Sequence, residues 1–229
     1  MRAAAPEFAF VEYDTLALAD AANPLVTCRD ALAGLLAGAA GIVAHGSAAR
    51  PALEAVAAVD PDLPIVLLSP LLVTRMTAWL RVFRAVIGSP PGRSLLQRYG
   101  ASKQQRLAGD VAYVRKQLLL LGGEAAASDA LVAEAQTRLA DPRTERVAAR
   151  SAELLLAITQ PISAQLNAAV THRTVLVGEG VLDRKTPRRM TATVVAGSTG
   201  ALMLDRPDVV AAALRTLLAQ ADQAARIET

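Results

Sequence analysis

Cysteine, histidine and aromatic side chains are scarce in this sequence of 229 residues. The single cysteine, Cys28, cannot form an intramolecular disulfide. Two histidines and one cysteine, far apart in the chain, offer no metal-ligand spacing, so we expect no metal site. A glycine-rich loop that ends in Lys-Ser or Lys-Thr is also missing, and we expect no cofactor.

No hydrophobic run is long enough to cross a bilayer. The most apolar stretch, residues 63–87, is interrupted by Arg75, Arg81 and Arg84. The first six residues lack the apolar segment of a signal peptide. These features predict a cytoplasmic protein, with attachment to the periphery of a membrane as the alternative.

Acidic residues are nearly absent from one part of the chain. Residues 75–116 hold nine cationic residues against Asp110 alone, a net charge of +8. The whole chain carries +3, so the remainder is −5. This concentration of positive charge indicates a partner with an acidic surface. Nucleic acid is not favoured as that partner, because no known nucleic-acid-binding motif accompanies the charge.

The apolar residues, 53% of the chain, recur in a strand–helix alternation at both ends. The patterns predict strands at 8–14, 42–44, 64–68, 174–177 and 192–195, and helices at 23–37, 48–59 and 207–225. Residues 70–170 read as helices only. Short apolar strands separated by helices predict an α/β fold, with a parallel sheet covered on both faces. Residues 1–70 and 171–229 would form the two halves of this core, and 71–170 an all-helical cap insertion.

Several local strings, in their order, resemble the α/β-hydrolase superfamily. Residues 42–49 resemble the strand and sharp turn that present the nucleophile, and 65–70 resemble the next strand. Residues 175–187 resemble the strand and loop of the catalytic acid, and 194–207 the histidine loop and the start of the last helix. The resemblance implies an α/β-hydrolase-like fold with a helical cap.

The same resemblance implies that the catalytic residues are lost. An ungapped match places Gly46 at the nucleophile and Gly200 at the histidine, while Asp183 alone corresponds to the acid, displaced because its loop is two residues longer. Ser47 is the alternative nucleophile, one position later, but His45 would then occupy a position where the turn requires a small residue. We therefore expect a protein that is not an enzyme, with a serine hydrolase based on Ser47 as the alternative.

The resemblance also implies that the first three strands of the family's sheet are missing. The 8–14 strand would match the fourth, and the loop that supplies part of the oxyanion hole would be absent. Either the 8–14 strand pairs directly with 42–44, which we favour, or a partner covers the open edge.

A helix predicted at 71–87 is the candidate binding element. Thr74, Thr77, Arg81 and Arg84 follow one helical stripe, with apolar residues on the rest. The cations and aromatics of this segment, Arg75, Trp79, Arg81, Phe83 and Arg84, suit an acidic protein interface or the headgroup zone of a membrane. Packing of the helix on its neighbours is the alternative reading.

The sequence is compatible with three functions. The first is a non-catalytic structural or interaction subunit of a hetero-complex or a homo-oligomer, with an anionic membrane surface as an alternative partner. The second is a serine hydrolase that uses Ser47. The third is a binder of an unidentified small molecule in a pocket between cap and core.

Overall fold

Strands and helices alternate at both ends of the chain, and the middle is helical. The computed structural model describes residues 4–13, 23–179 and 192–227. The strands are β1 (Ile42–His45), β2 (Ile65–Leu68), β3 (Arg173–Gly178) and β4 (Thr193–Val195). The helices are α1 (Pro24–Leu35), α2 (Ala49–Val59), α3 (Ala78–Gly88), α4 (Pro90–Gly109), α5 (Val111–Ala126), α6 (Asp129–Leu139), α7 (Pro142–Ala149), α8 (Ser151–Ile158), α9 (Ala164–Ala169), α10 (Leu202–Asp205) and α11 (Pro207–Ile227).

The described residues divide into two compact units. Unit 1 comprises 4–13, 29–74, 162–179 and 192–227, and unit 2 comprises 23–28 and 75–161. Residues 71–74 and 162–170, at the two ends of the segment predicted as the cap, belong to unit 1. Leu72 and Ile162 are buried in the core of this unit. The Ile162 amide also donates to the Val73 carbonyl, at 2.8 Å.

Unit 1 is built on a parallel sheet with the strand order β1-β2-β3-β4. Strand β2 is buried on both faces, and its alternate side chains enter two different cores. Ile65 and Leu67 join the core that includes α2, and Val66 and Leu68 join the core that includes α11. Helices therefore cover both faces of a parallel sheet, and the chain is of the α/β class.

The predicted strand at 8–14 is wrong over the described residues 8–13, which form no strand and do not pair with β1. Glu7 instead forms an ion pair with Arg215 of α11, at 2.6 Å, and Phe8 packs into the core on that side. The Phe8 amide donates to the Ala5 carbonyl, which closes a turn. These contacts draw the segment onto α11 rather than to the edge of the sheet.

Unit 2 is helical, and polar caps mark several helix starts. Ser89, Asp110 and Asp141 each accept a backbone N–H at the start of α4, α5 and α7. Helix α5 is interrupted at Gly122 and Gly123, which both have non-helical backbone angles.

The predicted start of the helix at 71–87 is wrong. Helix α3 begins at Ala78, and the Thr77 hydroxyl caps it by accepting the Leu80 N–H at 3.1 Å. Thr74 and Arg75 precede the helix, so the stripe expected from Thr74 to Arg84 does not form. Burial of Leu72 in the unit 1 core holds this part of the chain outside the helix.

Candidate functional site

The turn between β1 and α2 is occupied by Gly46. Its φ is +57°, a left-handed conformation that favours glycine, and a single 3₁₀ turn, Gly46–Ala48, leads into α2. A Cβ added at Gly46 would meet no atom within 4 Å. The turn therefore has the sharp strand-to-helix form expected for this segment, and the space that a side chain would fill is open.

His45 connects this turn to the loop after β4. Its Nε2 lies 2.8 Å from the Gly200 carbonyl oxygen. A carbonyl oxygen can only accept, so Nε2 carries the proton and donates it. In the neutral ring the lone pair is then on Nδ1. Gly46 and Gly200, which the resemblance matches to the nucleophile and histidine positions of the α/β-hydrolases, thus lie at the same end of the sheet and are linked through His45.

The loop that carries Gly200 is tightly held against β3. A Cβ on Gly178 would lie 1.8 Å from the Thr199 carbonyl oxygen, so only glycine permits this approach. The Thr199 amide donates to Asp205 Oδ2, and the Gly197 amide donates to Glu179 Oε2, both at 2.8 Å. Backbone and carboxylate contacts thus fix the position of Gly200.

Ser69 is a polar residue that the sequence analysis did not single out. It follows β2 at the same end of the sheet, and its φ of +42° is unusual for a residue with a side chain. Its hydroxyl is buried and has no hydrogen-bond partner among the described residues. Ligands of parallel α/β sheets bind at this carboxyl end of the strands, so Ser69 lies where a ligand-binding group would be placed.

The alternative nucleophile, Ser47, is exposed in the 3₁₀ turn. No hydrogen bond joins it to a histidine within the part of the chain that the structure describes. His172 directly precedes β3. It therefore lies at the amino end of the parallel strands, whereas the turn at Gly46 lies at their carboxyl end. Asp183 lies outside the described residues.

The predicted binding residues on α3 fall on two different faces. Trp79 and Arg81 are exposed, as is Arg75 before the helix. Phe83 is partly buried and packs beside Trp79, with 6.5 Å between the ring centroids. Arg84 donates to the Leu156 carbonyl and, at 3.0 Å, to the Thr159 hydroxyl. Arg84 thus binds the carboxyl end of α8 and is not a surface cation.

The outward face of α3 is apolar as well as exposed. Trp79, Val82 and Val86 are 74%, 56% and 57% exposed, and their spacing places them on one side of the helix. Ile87, about a quarter turn further round the helix, is buried. Helix α3 therefore has an inner apolar face that packs in unit 2 and an outer apolar face that contacts solvent. We call Trp79, Val82 and Val86 the outer face of α3.

Unit 2 also contains an open cleft of about 140 Å³ that the sequence analysis missed. It is lined by Tyr99, Ser102, Lys103, Arg106 and Tyr113. The first four have the spacing i, i+3, i+4 and i+7 on α4, and this regularity could have revealed them as one polar face. Tyr113 comes from α5, and the sequence gives no sign that it joins them.

Among the described residues, no group of three or more His, Cys, Asp or Glu could hold a metal ion, and no helix is long and apolar enough to cross a membrane.

No protein-family model, curated protein or solved structure matches the chain.

Proposed function

We propose that this chain is a non-catalytic, α/β-hydrolase-like protein that acts as an interaction subunit of a larger complex in the cytoplasm or at the periphery of a membrane. The observation that carries the proposal is Gly46. It occupies the strand-to-helix turn with a φ of +57°, where a hydrolase would present its nucleophile, and it has no side chain to attack with.

The hydrogen bond of His45 also supports a non-catalytic role. A general base must reach the proton that it removes, within about 3 Å. His45 Nε2 donates to the Gly200 carbonyl instead, and Gly200 is itself the position that matches the family's histidine. The contact holds the β1–α2 turn to the loop after β4, which is a structural task.

The outer face of α3 supports the interaction role. A tryptophan with three quarters of its surface exposed, next to two exposed valines, is costly to keep in water. Tryptophan and arginine are enriched among the residues that dominate binding energy at interfaces, and Arg81, next to Val82 in the chain, is also exposed. We assign the outer face of α3 as the contact surface.

The charge of the surrounding segment selects the kind of partner. No Asp or Glu occurs between Arg75 and Gly109, which includes all of α3 and α4. A symmetric dimer through this face would bring the same cations of two copies together, and that is unfavourable. We therefore assign the face to a different protein with an acidic surface.

Site-specific photo-crosslinking in cells tests this assignment. A photoreactive phenylalanine replaces Trp79, and in the matched control it replaces Gln220, which is exposed on α11. We expect one protein adduct from position 79 and none from position 220. The captured protein should be acidic, and it should bind the purified chain less tightly as salt is raised, because exposed charge interactions are screened over about 8–10 Å.

The substitution Arg81→Gln should weaken that binding in the purified pair, while Arg138→Gln, on α6, should not. Binding that is insensitive to salt and to Arg81→Gln would contradict the electrostatic part of the proposal. Adducts with lipid alone, or equal adducts at positions 79 and 220, would show that the outer face of α3 does not bind a protein partner.

A further inference from the structure

We propose that the cleft between α4 and α5 binds a phosphoryl group of a phosphate monoester. The cleft is lined by Tyr99, Ser102, Lys103, Arg106 and Tyr113, and we call it the α4–α5 cleft. The cleft belongs to unit 2, whereas the turn at Gly46 belongs to unit 1. The proposal is independent of the function proposed above.

The corner between the two helices creates the cleft. Only Asp110 separates α4 from α5, and its carboxylate caps α5 by accepting the Tyr113 N–H at 2.9 Å. This cap fixes the direction of the first turn of α5, which supplies Tyr113 to the polar face of α4. Because Asp110 already accepts a hydrogen bond and does not line the cleft, the corner is built without placing a carboxylate among the lining groups.

The lining groups are suited to bind an anion. Lys103 supplies three N–H donors and Arg106 supplies five, and the three hydroxyl groups can each donate one hydrogen bond. The lining includes no carboxylate, and α4 itself contains no Asp or Glu. None of the five side chains has a hydrogen-bond or ion-pair partner within the residues that the structure describes. Other cations of unit 2, such as Arg84 and Arg115, are bonded to helix-end carbonyls.

Charge and size favour phosphate over carboxylate. A phosphate monoester carries a charge of about −1.5 to −2 at neutral pH and has three acceptor oxygens. This charge matches the two cations Lys103 and Arg106, whereas a carboxylate would leave one of them unneutralised. The volume of about 140 Å³ is about ten times what one water molecule needs, so a group of several heavy atoms fits.

The phosphoryl group can belong to a free metabolite or to a lipid headgroup. Leu95, one helical turn before Tyr99, is 70% exposed, and Val111 at the start of α5 is 53% exposed. These apolar neighbours would suit the acyl region of a lipid, while the cleft itself recognises the same chemistry in either source. The experiment therefore needs a soluble probe and a vesicle probe.

Calorimetric titration with inorganic phosphate is the first arm, with chloride at equal ionic strength as the reference. The second arm is co-sedimentation with phosphatidylcholine vesicles that contain phosphatidic acid, a phosphate monoester, compared with vesicles that contain phosphatidylglycerol, a diester. We expect saturable phosphate binding that Lys103→Gln or Arg106→Gln weakens about tenfold or more, as for the loss of one charged hydrogen bond.

The matched control is Arg98→Gln, which removes one exposed cation from α4 outside the lining. It should change phosphate affinity by less than about threefold, because an exposed charge outside the lining makes no direct hydrogen bond to the anion and is screened by solvent. Tyr113→Phe keeps the ring, removes one hydroxyl and should weaken binding by a smaller factor. It serves as the second probe of the cleft if a charge variant proves unstable.

Each combination of results decides the proposal. Phosphate binding that falls in the Lys103, Arg106 and Tyr113 variants but not in Arg98→Gln supports it. If the same variants also lose binding to phosphatidic-acid vesicles, the source of the phosphoryl group is a lipid. If their vesicle binding is unchanged, the source is a soluble phosphate monoester. No saturable phosphate binding by the wild type, or equal losses in Arg98→Gln and Lys103→Gln, would overturn it.

Discussion

The substitution Gly178→Ala should lower the free energy of unfolding, because it places a methyl group where backbone atoms already lie. The new Cβ would be 1.8 Å from the Thr199 carbonyl oxygen and 2.6 Å from its carbonyl carbon. Neither neighbour is a flexible side-chain end, so β3 or the loop after β4 must move. Overpacking of this kind costs about 1–3 kcal/mol, and the backbone contact places Gly178→Ala near 3.

A loss of about 3 kcal/mol should lower the melting temperature by about 6–12 °C in a protein of this size. Thermal and urea unfolding followed by circular dichroism measure the change. Gly34→Ala is the matched control, because a Cβ at this exposed position of α1 meets nothing within 4 Å. It should be neutral or stabilising by up to about 1 kcal/mol. If the melting temperature of Gly178→Ala lies within about 1 °C of the wild-type value, well short of the expected fall of about 6–12 °C, the loop is not held against β3 as described.

Three further predictions concern other parts of the chain. Thr77→Ala removes the cap of α3 and should lower the free energy of unfolding, measured in urea, by about 1 kcal/mol, while Thr77→Ser should leave it unchanged. Equal losses in the two variants would exclude capping as the cause. Burial raises the pKa of Cys28 to about 11, so at pH 8 a thiol reagent should label the native protein far more slowly than the urea-unfolded chain, and equal rates would disprove the burial. The Arg143 side chain lowers the pKa of Asp141 to about 2, below its value in an unfolded chain of about 3.9. The resulting stability should be complete above about pH 4 and lost toward pH 2, and Asp141→Asn should lose this acid dependence in urea titrations between those values.

Local sequence patterns predicted the strands of the sheet because each is a short apolar run bounded by helix signals. The run 64–68 contains β2, Ile65–Leu68, which is buried on both faces, so every residue in it is apolar. Helix α11 was equally readable, since Pro207 marks its first turn and Asp208 follows. In these elements the local preference and the final environment agree.

The predictions failed where distant contacts decide the structure. The 8–13 segment has a strand-like composition, but the ion pair between Glu7 and Arg215 joins residues 208 positions apart. No local pattern contains that contact. The start of α3 was misplaced for a similar reason, because Leu72 fits a helical stripe in the sequence and is buried in the core of unit 1.

The candidate site was predictable only in part. The turn at Gly46 was predictable from a strand, a glycine and a helix in sequence, but the hydrogen bond from His45 to Gly200 was not predictable, because the two residues are 155 positions apart. The role of Arg84 was not, because the carboxyl end of α8 that it binds lies 72 positions away in the chain. The α4–α5 cleft requires the corner at Asp110, which sequence periodicity does not describe.

Labelling with a fluorophosphonate probe tests the central claim, that no residue of the turn after β1, Ser47 included, acts as a catalytic nucleophile. The wild type and Ser47→Ala should remain unlabelled to the same extent, and neither should hydrolyse a p-nitrophenyl ester above the buffer rate. An active serine hydrolase of any fold serves as the positive control for the probe. Labelling of the wild type that disappears in Ser47→Ala would contradict the account and assign the turn to a working hydrolase.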